Sequence, residues 1–144
     1  MIYIDTSCLL KLFRDEPFSD AVLVEIAAES QVIVSALVEM ETLVQLKADW
    51  TGGTINRYKW HRLEVELARL RNQPPFEFRT LPGTVFQSAL RQHRNAGDTH
   101  CRSLDRLHLA AMEELRVTRL MTHDEAQARA AEAAGFQVVF PGRK

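Results

Sequence analysis

Short apolar runs alternate with segments of helical periodicity along the chain. Five such runs, bounded by polar or turn-forming residues, have the length and composition of β-strands. The third run is expected to be a short strand at a sheet edge. The predicted strands are residues 2–4, 31–35, 76–81, 118–123 and 136–140.

The segments between these runs place apolar residues three and four positions apart, which is the spacing of one helix face. Pro17 is placed to open a helix, Ser35 and Ser103 to cap helices, and Gly97 to end one. The predicted helices are residues 6–16, 17–29, 35–49, 56–73, 83–97, 103–117 and 124–135.

Strands separated by one or two helices predict βαβ units, and therefore a central, mostly parallel sheet with helices on both faces. The expected fold class is α/β, a three-layer α/β/α sandwich. Because no repeat, linker or low-complexity segment interrupts the pattern, residues 1–144 are predicted to form a single domain. The helical pair within residues 36–73 is expected to project from that domain as an arm.

The composition is that of an ordinary globular protein, with 46% hydrophobic and 26% charged residues. The net charge of −1 gives no overall attraction to nucleic acid, so binding of a polyanion would need a local basic surface or a metal ion. Cys8 and Cys101 are interpreted as reduced thiols. The start of the chain does not resemble a secretory signal, and no apolar run approaches membrane-spanning length. We therefore expect a cytoplasmic protein without a membrane partner.

Two aspartates directly follow predicted strands. Asp5 comes after the first strand and Asp124 after the fourth. If these strands are parallel, both acids lie at the edge of the sheet where ligands bind. Helix capping is the simpler explanation for Asp124. It explains Asp5 less well, because Thr6 and Ser7 could cap the following helix without it.

Two further acids lie on predicted helices. Glu41 shares a helical stripe with Leu37 and Val44, and a carboxylate on a mostly apolar face needs a partner or an ion. Asp105 lies in the first turn of its helix, three residues before His108. We interpret His108 as a packed or hydrogen-bonded imidazole rather than a metal ligand.

Carboxylates that converge are costly unless they are protonated or neutralised by a cation. Carboxylate sites without Cys or clustered His favour hard cations such as Mg²⁺ or Mn²⁺, and such sites can hydrolyse phosphodiesters. The sequence therefore predicts a divalent-cation site formed by Asp5, Glu41, Asp105 and Asp124.

Four motifs together resemble those of the PIN-domain ribonucleases, and most closely the VapC-type toxins of prokaryotic toxin–antitoxin pairs. The motifs are MIYIDTSCLLKLF, VSALVEMETL, RSLDRLHLAAM and LMTHDEAQARAAEAAGFQVVFPG. They cover nearly the whole chain in the right order. Residues 50–96 match only in being helical.

This resemblance implies a PIN-like fold and a Mg²⁺- or Mn²⁺-dependent endoribonuclease that leaves a 5′-phosphate and a 3′-hydroxyl. It also implies an RNA substrate, a small VapB-like antitoxin that inhibits the enzyme, and a homodimer. Asp5 and Asp124 are expected to contact the metal directly, and Thr122 to position the attacking water. By position, the family's acidic sites fall on Asp5, Glu41, Asp105 and Asp124, and its small hydroxyl sites on Thr6 and Thr122.

Two basic stretches are candidates for contact with RNA. The helix at 56–73 interleaves Tyr58 and Trp60 with several cations, as single-strand-binding surfaces do. The alternative is a solvated helix face with Trp60 and the leucines packed inwards. The second candidate surface consists of Arg91, Arg94 and Arg102.

Two other functions remain open for a chain of this kind. One is a housekeeping PIN nuclease in RNA processing, which the sequence hardly separates from a toxin. The other is a catalytically degenerate PIN fold that serves as a binding scaffold. The presence of all four acids argues against the scaffold.

Overall fold

A parallel five-stranded sheet organises the protein, which is described by a computed structural model covering residues 1–143. The strand order is β3-β2-β1-β4-β5, and every neighbouring pair is parallel. The expected mostly parallel sheet and the short edge strand at the third position are both confirmed. The strands are β1 (Ile2–Ile4), β2 (Val32–Ser35), β3 (Phe76–Arg79), β4 (Arg119–Met121) and β5 (Gln137–Val139).

Helices cover the sheet and complete the α/β/α sandwich that the sequence predicts. Two 3₁₀ turns, Leu10–Leu12 and Leu70–Asn72, extend the first and fourth helices. Within residues 1–143 the α-helices are α1 (Thr6–Leu9), α2 (Ser19–Ala27), α3 (Ala36–Thr51), α4 (Arg57–Arg69), α5 (Val85–Asn95), α6 (Ser103–Glu114) and α7 (Glu125–Ala133).

The order of the strands defines where a ligand would bind. The chain builds outwards from β1 to β2 and β3, then crosses back to add β4 and β5 on the other side of β1. The direction therefore reverses between β1 and β4, and a crevice beyond the carboxyl ends of two such strands is the usual ligand site of an open α/β sheet. These two strands are also rigid supports, because Ile4, Leu120 and Met121 are completely buried.

Three predicted helix starts or lengths are wrong. The helix predicted at 6–16 is only one turn of α-helix followed by a 3₁₀ turn. Pro17 does not open α2, because Phe18 has a left-handed backbone (φ 70°) that a right-handed helix cannot include, and α2 begins at Ser19. Ser103 is the first residue of α6 rather than its cap, a position held by Arg102.

The predicted apolar stripe on α3 is wrong beyond Glu41. Leu37 is buried as expected, but Val44 is 59% exposed, and the helix also buries Val38, Thr42 and Leu46. Glu41 therefore lies at the border of the buried face and is not enclosed by an apolar stripe. The error is one of phase, since the buried positions are shifted from those that the apolar residues alone suggest.

The helical pair α3 and α4 is anchored to the start of the chain. Leu46 and Leu63 pack with Leu10, and Arg14 donates to both carboxylate oxygens of Asp49, at 2.9 and 3.0 Å. Beyond these contacts, Trp50 and Trp60 stack nearly parallel with ring centroids 4.3 Å apart.

Cys8 and Cys101 are both free thiols, as the sequence predicts. In the described part of the chain, no helix combines the length and the apolar character that crossing a membrane requires.

Candidate active site

Asp5 stands at the carboxyl end of β1, at the point where the sheet reverses direction. Its backbone N–H donates to the Met121 carbonyl at 3.1 Å, which ties it to the end of β4. Its side chain is 4% exposed and caps α1, accepting from the Cys8 N–H at 3.1 Å. The Ser7 hydroxyl donates to Oδ1 at 2.6 Å, and the Thr122 hydroxyl donates to Oδ2.

Burial raises the pKa of Asp5 above its ordinary value. The hydrogen bonds from Ser7, Thr122 and Cys8 and the nearby His108 oppose that rise without cancelling it. No Lys or Arg side chain of residues 1–143 forms an ion pair with this carboxylate. Asp5 is thus a buried acid that lacks a cationic partner.

Glu41 belongs to a second group, built around a buried histidine. The Thr6 hydroxyl donates to Glu41 Oε1 at 3.0 Å, and His108 Nε2 is hydrogen-bonded to the same oxygen. His108 Nδ1 lies 2.8 Å from the Tyr3 hydroxyl, which lies 2.7 Å from the Ser35 hydroxyl. His108 is therefore held by hydrogen bonds on both ring nitrogens, consistent with its interpretation as a packed imidazole.

Partial burial alone would raise the pKa of Glu41, but its contacts with His108 and Thr6 bring that pKa below its ordinary value. The surroundings of the two acids therefore act on their pKa values in opposite directions. Glu41 carries a stabilised negative charge, whereas the charge of Asp5 is disfavoured.

Asp105 and Asp124 are joined by one arginine. Arg102 donates from Nε to Asp105 Oδ2 at 2.9 Å, and its Nη2 atom reaches Asp105 Oδ1 at 3.3 Å and Asp124 Oδ2 at 2.9 Å. The other oxygen of Asp124 caps α7 by accepting from the backbone N–H groups of Ala126 and Gln127. Asp124 is thus a helix cap, as the simpler explanation held, and it also faces a cation.

Hydrogen bonds and ion pairs divide the predicted acids into three groups: Asp5, Glu41, and the pair Asp105 and Asp124. Thr122 links the first and third groups, because its oxygen contacts Asp5 and accepts the Asp124 N–H at 3.0 Å. Thr6 follows Asp5 directly and contacts Glu41. Nevertheless, within residues 1–143 no set of three or more His, Cys, Asp or Glu side chains is arranged to hold a metal ion.

A divalent cation is nevertheless compatible with these side chains. Carboxylate and hydroxyl oxygens are suitable ligands for Mg²⁺ and Mn²⁺. One cation, the guanidinium of Arg102, already lies between Asp105 and Asp124, and Asp5 is buried without one. The Arg102 side chain is 70% exposed, so no packing prevents it from turning towards solvent and freeing both acids.

Thr122 contacts Asp5 at the rim. The residue is completely buried, and its hydroxyl proton is donated to Asp5. Thr122 therefore orients Asp5, and its expected role in positioning a water stays a prediction.

Two contributors to the rim are not among the site residues that the sequence predicts. Ser7 is expected only as a possible helix cap, yet it donates to Asp5 and accepts the His123 N–H at 2.9 Å. Its position two residues after Asp5 is a usable signal. Arg102 is expected in a basic surface, although its place three residues before Asp105 on a helix start predicts contact between the two.

The candidate RNA surfaces are only partly available. Trp60 is stacked on Trp50 and also lies against His61, with ring centroids 4.5 Å apart, whereas Tyr58 is 76% exposed. Arg91 is paired with Glu113, and Arg102 with the two aspartates described above. The second basic surface is therefore largely neutralised.

Comparisons with known proteins point to one family. A PIN domain profile matches residues 2–133. Ribonuclease VapC35 of Mycobacterium tuberculosis is 34% identical over 149 residues, covering 99% of this chain and 98% of the relative.

Two solved structures share the fold. Mycobacterium tuberculosis VapC20, described as a sarcin-ricin loop cleaving toxin, superposes with a TM-score of 0.72 at 21% identity, covering 98% of this chain and all of the other. A toxin–antitoxin complex from Klebsiella pneumoniae gives a TM-score of 0.67 at 17% identity, with both chains fully covered.

Proposed function

The chain belongs to the PIN-domain family, among its VapC members, and from this premise we propose that it is a divalent-metal-dependent endoribonuclease acting as the toxin of a toxin–antitoxin pair. The observation that carries the proposal is the buried, cation-deficient Asp5 at the reversal point of the sheet. The relative named a ribonuclease, similar over nearly the full length of both chains, supports the same reaction class.

In this proposal Asp5 and Asp124 contact a Mg²⁺ or Mn²⁺ ion directly, with Asp105 and Glu41 as further ligands or as acceptors that orient water. Such an ion supplies Lewis-acid charge and makes water a stronger nucleophile near neutral pH, which is how divalent ions promote phosphodiester hydrolysis. The remaining chemistry is done by side chains of the protein.

Each of those side chains has a defined task. Ser7 and Thr122 hold the Asp5 carboxylate in one orientation from opposite oxygens. His108, fixed by Tyr3, keeps Glu41 ionised and directed at the rim. Because these residues are already in place, the binding of metal requires rearrangement mainly at Arg102.

The proposal also names partners. The substrate is RNA, and the inhibitor is a small VapB-like antitoxin, in keeping with the toxin–antitoxin complex among the solved structures of this fold. A homodimer is proposed on the same kinship. Exposed apolar side chains such as Phe86 and Leu90, four residues apart on α5, are available for such contacts.

The test is controlled expression of the wild type and of Asp5→Asn in a bacterium without the antitoxin, with sequencing of RNA 5′ ends. We expect growth arrest and discrete new 5′-phosphate ends in the wild type only. Equal soluble levels of both proteins control for folding. No arrest and no new ends in the wild type would overturn the proposal in favour of a binding scaffold, and new ends without arrest would favour a housekeeping nuclease.

A further inference from the structure

A buried arginine lines a cavity that is separate from the candidate active site. The cavity has a volume of about 410 Å³ and lies between α5, α6 and α7. Arg106, on α6, is 7% exposed and contributes to its wall.

The charge of Arg106 is not balanced within the protein. Its Nε atom has no hydrogen-bond partner, and its Nη1 atom reaches the amide oxygen of Gln92 at 3.5 Å, which is the limit of a weak contact. The Cys101 thiol also contacts this guanidinium, but burial raises the pKa of that thiol, so it does not supply a counter-charge. No acidic side chain of residues 1–143 forms an ion pair with it. Asp105, its neighbour in the chain, is paired with Arg102, and Glu113, on the cavity wall, is engaged by Arg91 and Gln92.

A buried guanidinium without a counter-charge is unfavourable, and arginine cannot relieve it by losing its proton. Such a group is expected to have an anionic partner that enters from outside. The cavity gives that partner access, because Arg106 lines it directly.

The lining defines the charge and the shape of the partner. Arg91 and Arg106 are cationic and Glu113 is anionic, so the cavity carries one net positive charge and suits a single negative charge. Asn95 and Thr99 add polar groups. The rest of the wall is made of small side chains that leave the space open: Ala96, Ala130, Ala133 and Ala134.

We propose that this cavity binds a phosphodiester group of the RNA backbone, with Arg106 contacting its oxygen atoms. The planar guanidinium fork matches phosphate oxygens, and a phosphodiester carries the single charge that the cavity needs. Arg106 directly follows Asp105, about 100° further around α6. The cavity thus adjoins the helix turn that presents Asp105 to the rim. The inference rests on the proposed function and adds a place where the strand is held away from the cleavage point.

The experiment measures RNA binding without cleavage. A short fluorescent single-stranded RNA is titrated with protein in EDTA, over a range of salt concentrations. The parent protein carries Asp5→Asn, and two variants of it carry either Arg106→Gln or Arg129→Gln as a second change. Arg129 is an exposed residue of α7 that is not among the cavity's lining residues, so its variant matches the loss of one charge.

We expect Arg106→Gln to reduce the slope of log K against log salt by about 0.7, the value for one phosphate contact with a single strand. With that change in slope, the loss of affinity relative to the parent is roughly fivefold larger at 0.1 M salt than at 1 M salt. Arg129→Gln should change the slope much less. Equal effects of the two variants, or no effect of Arg106→Gln, would overturn the inference.

A second variant guards against misfolding of Arg106→Gln. Ala133→Glu leaves Arg106 in place and puts a carboxylate on the cavity wall, so it should reduce the slope similarly while preserving or raising thermal stability. Unchanged RNA binding by folded Ala133→Glu would contradict the proposal. Dimethyl phosphate, added to the Asp5→Asn parent, tests whether a free phosphodiester is sufficient for binding. A rise in melting temperature that is absent when the protein also carries Arg106→Gln would support the site. An equal rise with acetate would argue against phosphate as its ligand.

This outcome is separable from that of the proposed function. If the protein cleaves RNA with a divalent metal but Arg106→Gln leaves the salt dependence of RNA binding unchanged, only the proposal of the cavity site is refuted. If Arg106→Gln changes the salt dependence of RNA binding but the protein cleaves no RNA, the cavity site is supported and the proposed nuclease function is refuted.

Discussion

The two edges of the sheet treat a carboxylate of low exposure in opposite ways. At the amino-terminal edge, Glu29 accepts from Arg119 at 2.6 Å and lies 3.3 Å from the amino group of Met1. Burial by itself would raise its pKa, but these two cations bring that pKa below its ordinary value. At the carboxyl-terminal edge, Asp5 is more deeply enclosed, has no cation, and has a raised pKa.

This difference separates a structural acid from one available for chemistry. Glu29 is neutralised by its own fold, so its charge stabilises the native state and needs nothing further. Asp5 is held by hydroxyl and amide donors that orient it without neutralising it. An acid placed so at a ligand-binding rim has capacity for an external cation.

The largest expected effect is on catalysis. Asp5→Asn should lower Mn²⁺-dependent RNA cleavage below detection, because the amide keeps the shape of the side chain but loses its charge. Glu29→Gln, an equivalent change at the other edge, should cleave at the wild-type rate while folded. Cleavage of a defined RNA by purified proteins measures both. Cleavage at the wild-type rate by Asp5→Asn would show that Asp5 is no more important for the reaction than Glu29.

The next effect is on stability, where we expect Glu29→Gln to be harmful and Asp5→Asn not to be. Glu29→Gln should lower the free energy of unfolding by about 1–2 kcal/mol, since it weakens a partly buried, charge-assisted pair with a half-exposed arginine. For a chain of this size that corresponds to a melting temperature lower by roughly 2–8 °C. Thermal unfolding in EDTA checks this, with the exposed Glu132→Gln as control. An unchanged melting temperature would show that Glu29 is not structurally important.

The two acids should also respond oppositely to pH. The pKa of Glu29 is lowered in the folded state, so its contribution is present above about 4.5 and is lost as the pH falls through its folded pKa. The pKa of Asp5 is raised, so the folded state loses stability as the pH rises from 3.8 through its folded pKa.

Melting temperatures measured in EDTA from pH 3.5 to 8, relative to wild type, follow from these signs. The deficit of Glu29→Gln should shrink towards acid pH, and a small advantage of Asp5→Asn should grow towards neutral pH. Parallel pH profiles for both variants would mean that the two edges do not differ in charge balance.

The smallest effect concerns Arg102, the cation that the rim supplies itself. Arg102→Gln should melt slightly lower in EDTA, because Asp105 and Asp124 lose their shared partner, and should bind Mn²⁺ severalfold more tightly, because the ion no longer competes with a guanidinium. Calorimetry with Arg129→Gln as a charge-matched control measures the second effect. Weaker binding of Mn²⁺ would show that Arg102 assists the ion rather than opposing it.

Much of the fold follows from local patterns in the sequence. The five strands and their parallel arrangement are recoverable because buried strands are short continuous apolar runs between helices. The start of α2 is not, because the left-handed backbone of Phe18 is imposed by its surroundings rather than by a turn-forming residue. The buried face of α3 is missed for a similar reason, since contacts with α1 and α4 decide which positions are covered.

The candidate active site, like the fold, could be predicted from the sequence only in part. Asp5 and Asp124 can be placed from the sequence, because an acid after a parallel strand must lie at the rim. Two of their contacts cannot, because the pairing of Thr122 with Asp5 and of Arg102 with Asp124 is decided by distances across the fold. Arg106 gives no signal at all in the sequence, where it is one more cation on an amphipathic helix.

Calorimetric titration of Mn²⁺ at pH 7 into the wild type, Asp5→Asn and Glu29→Gln shows whether Asp5, and not Glu29, is needed to bind the cation. We expect binding by the wild type, the same affinity for Glu29→Gln, and a loss of about tenfold or more for Asp5→Asn. Equal affinity of Asp5→Asn and the wild type, or no binding by either, would contradict this expectation.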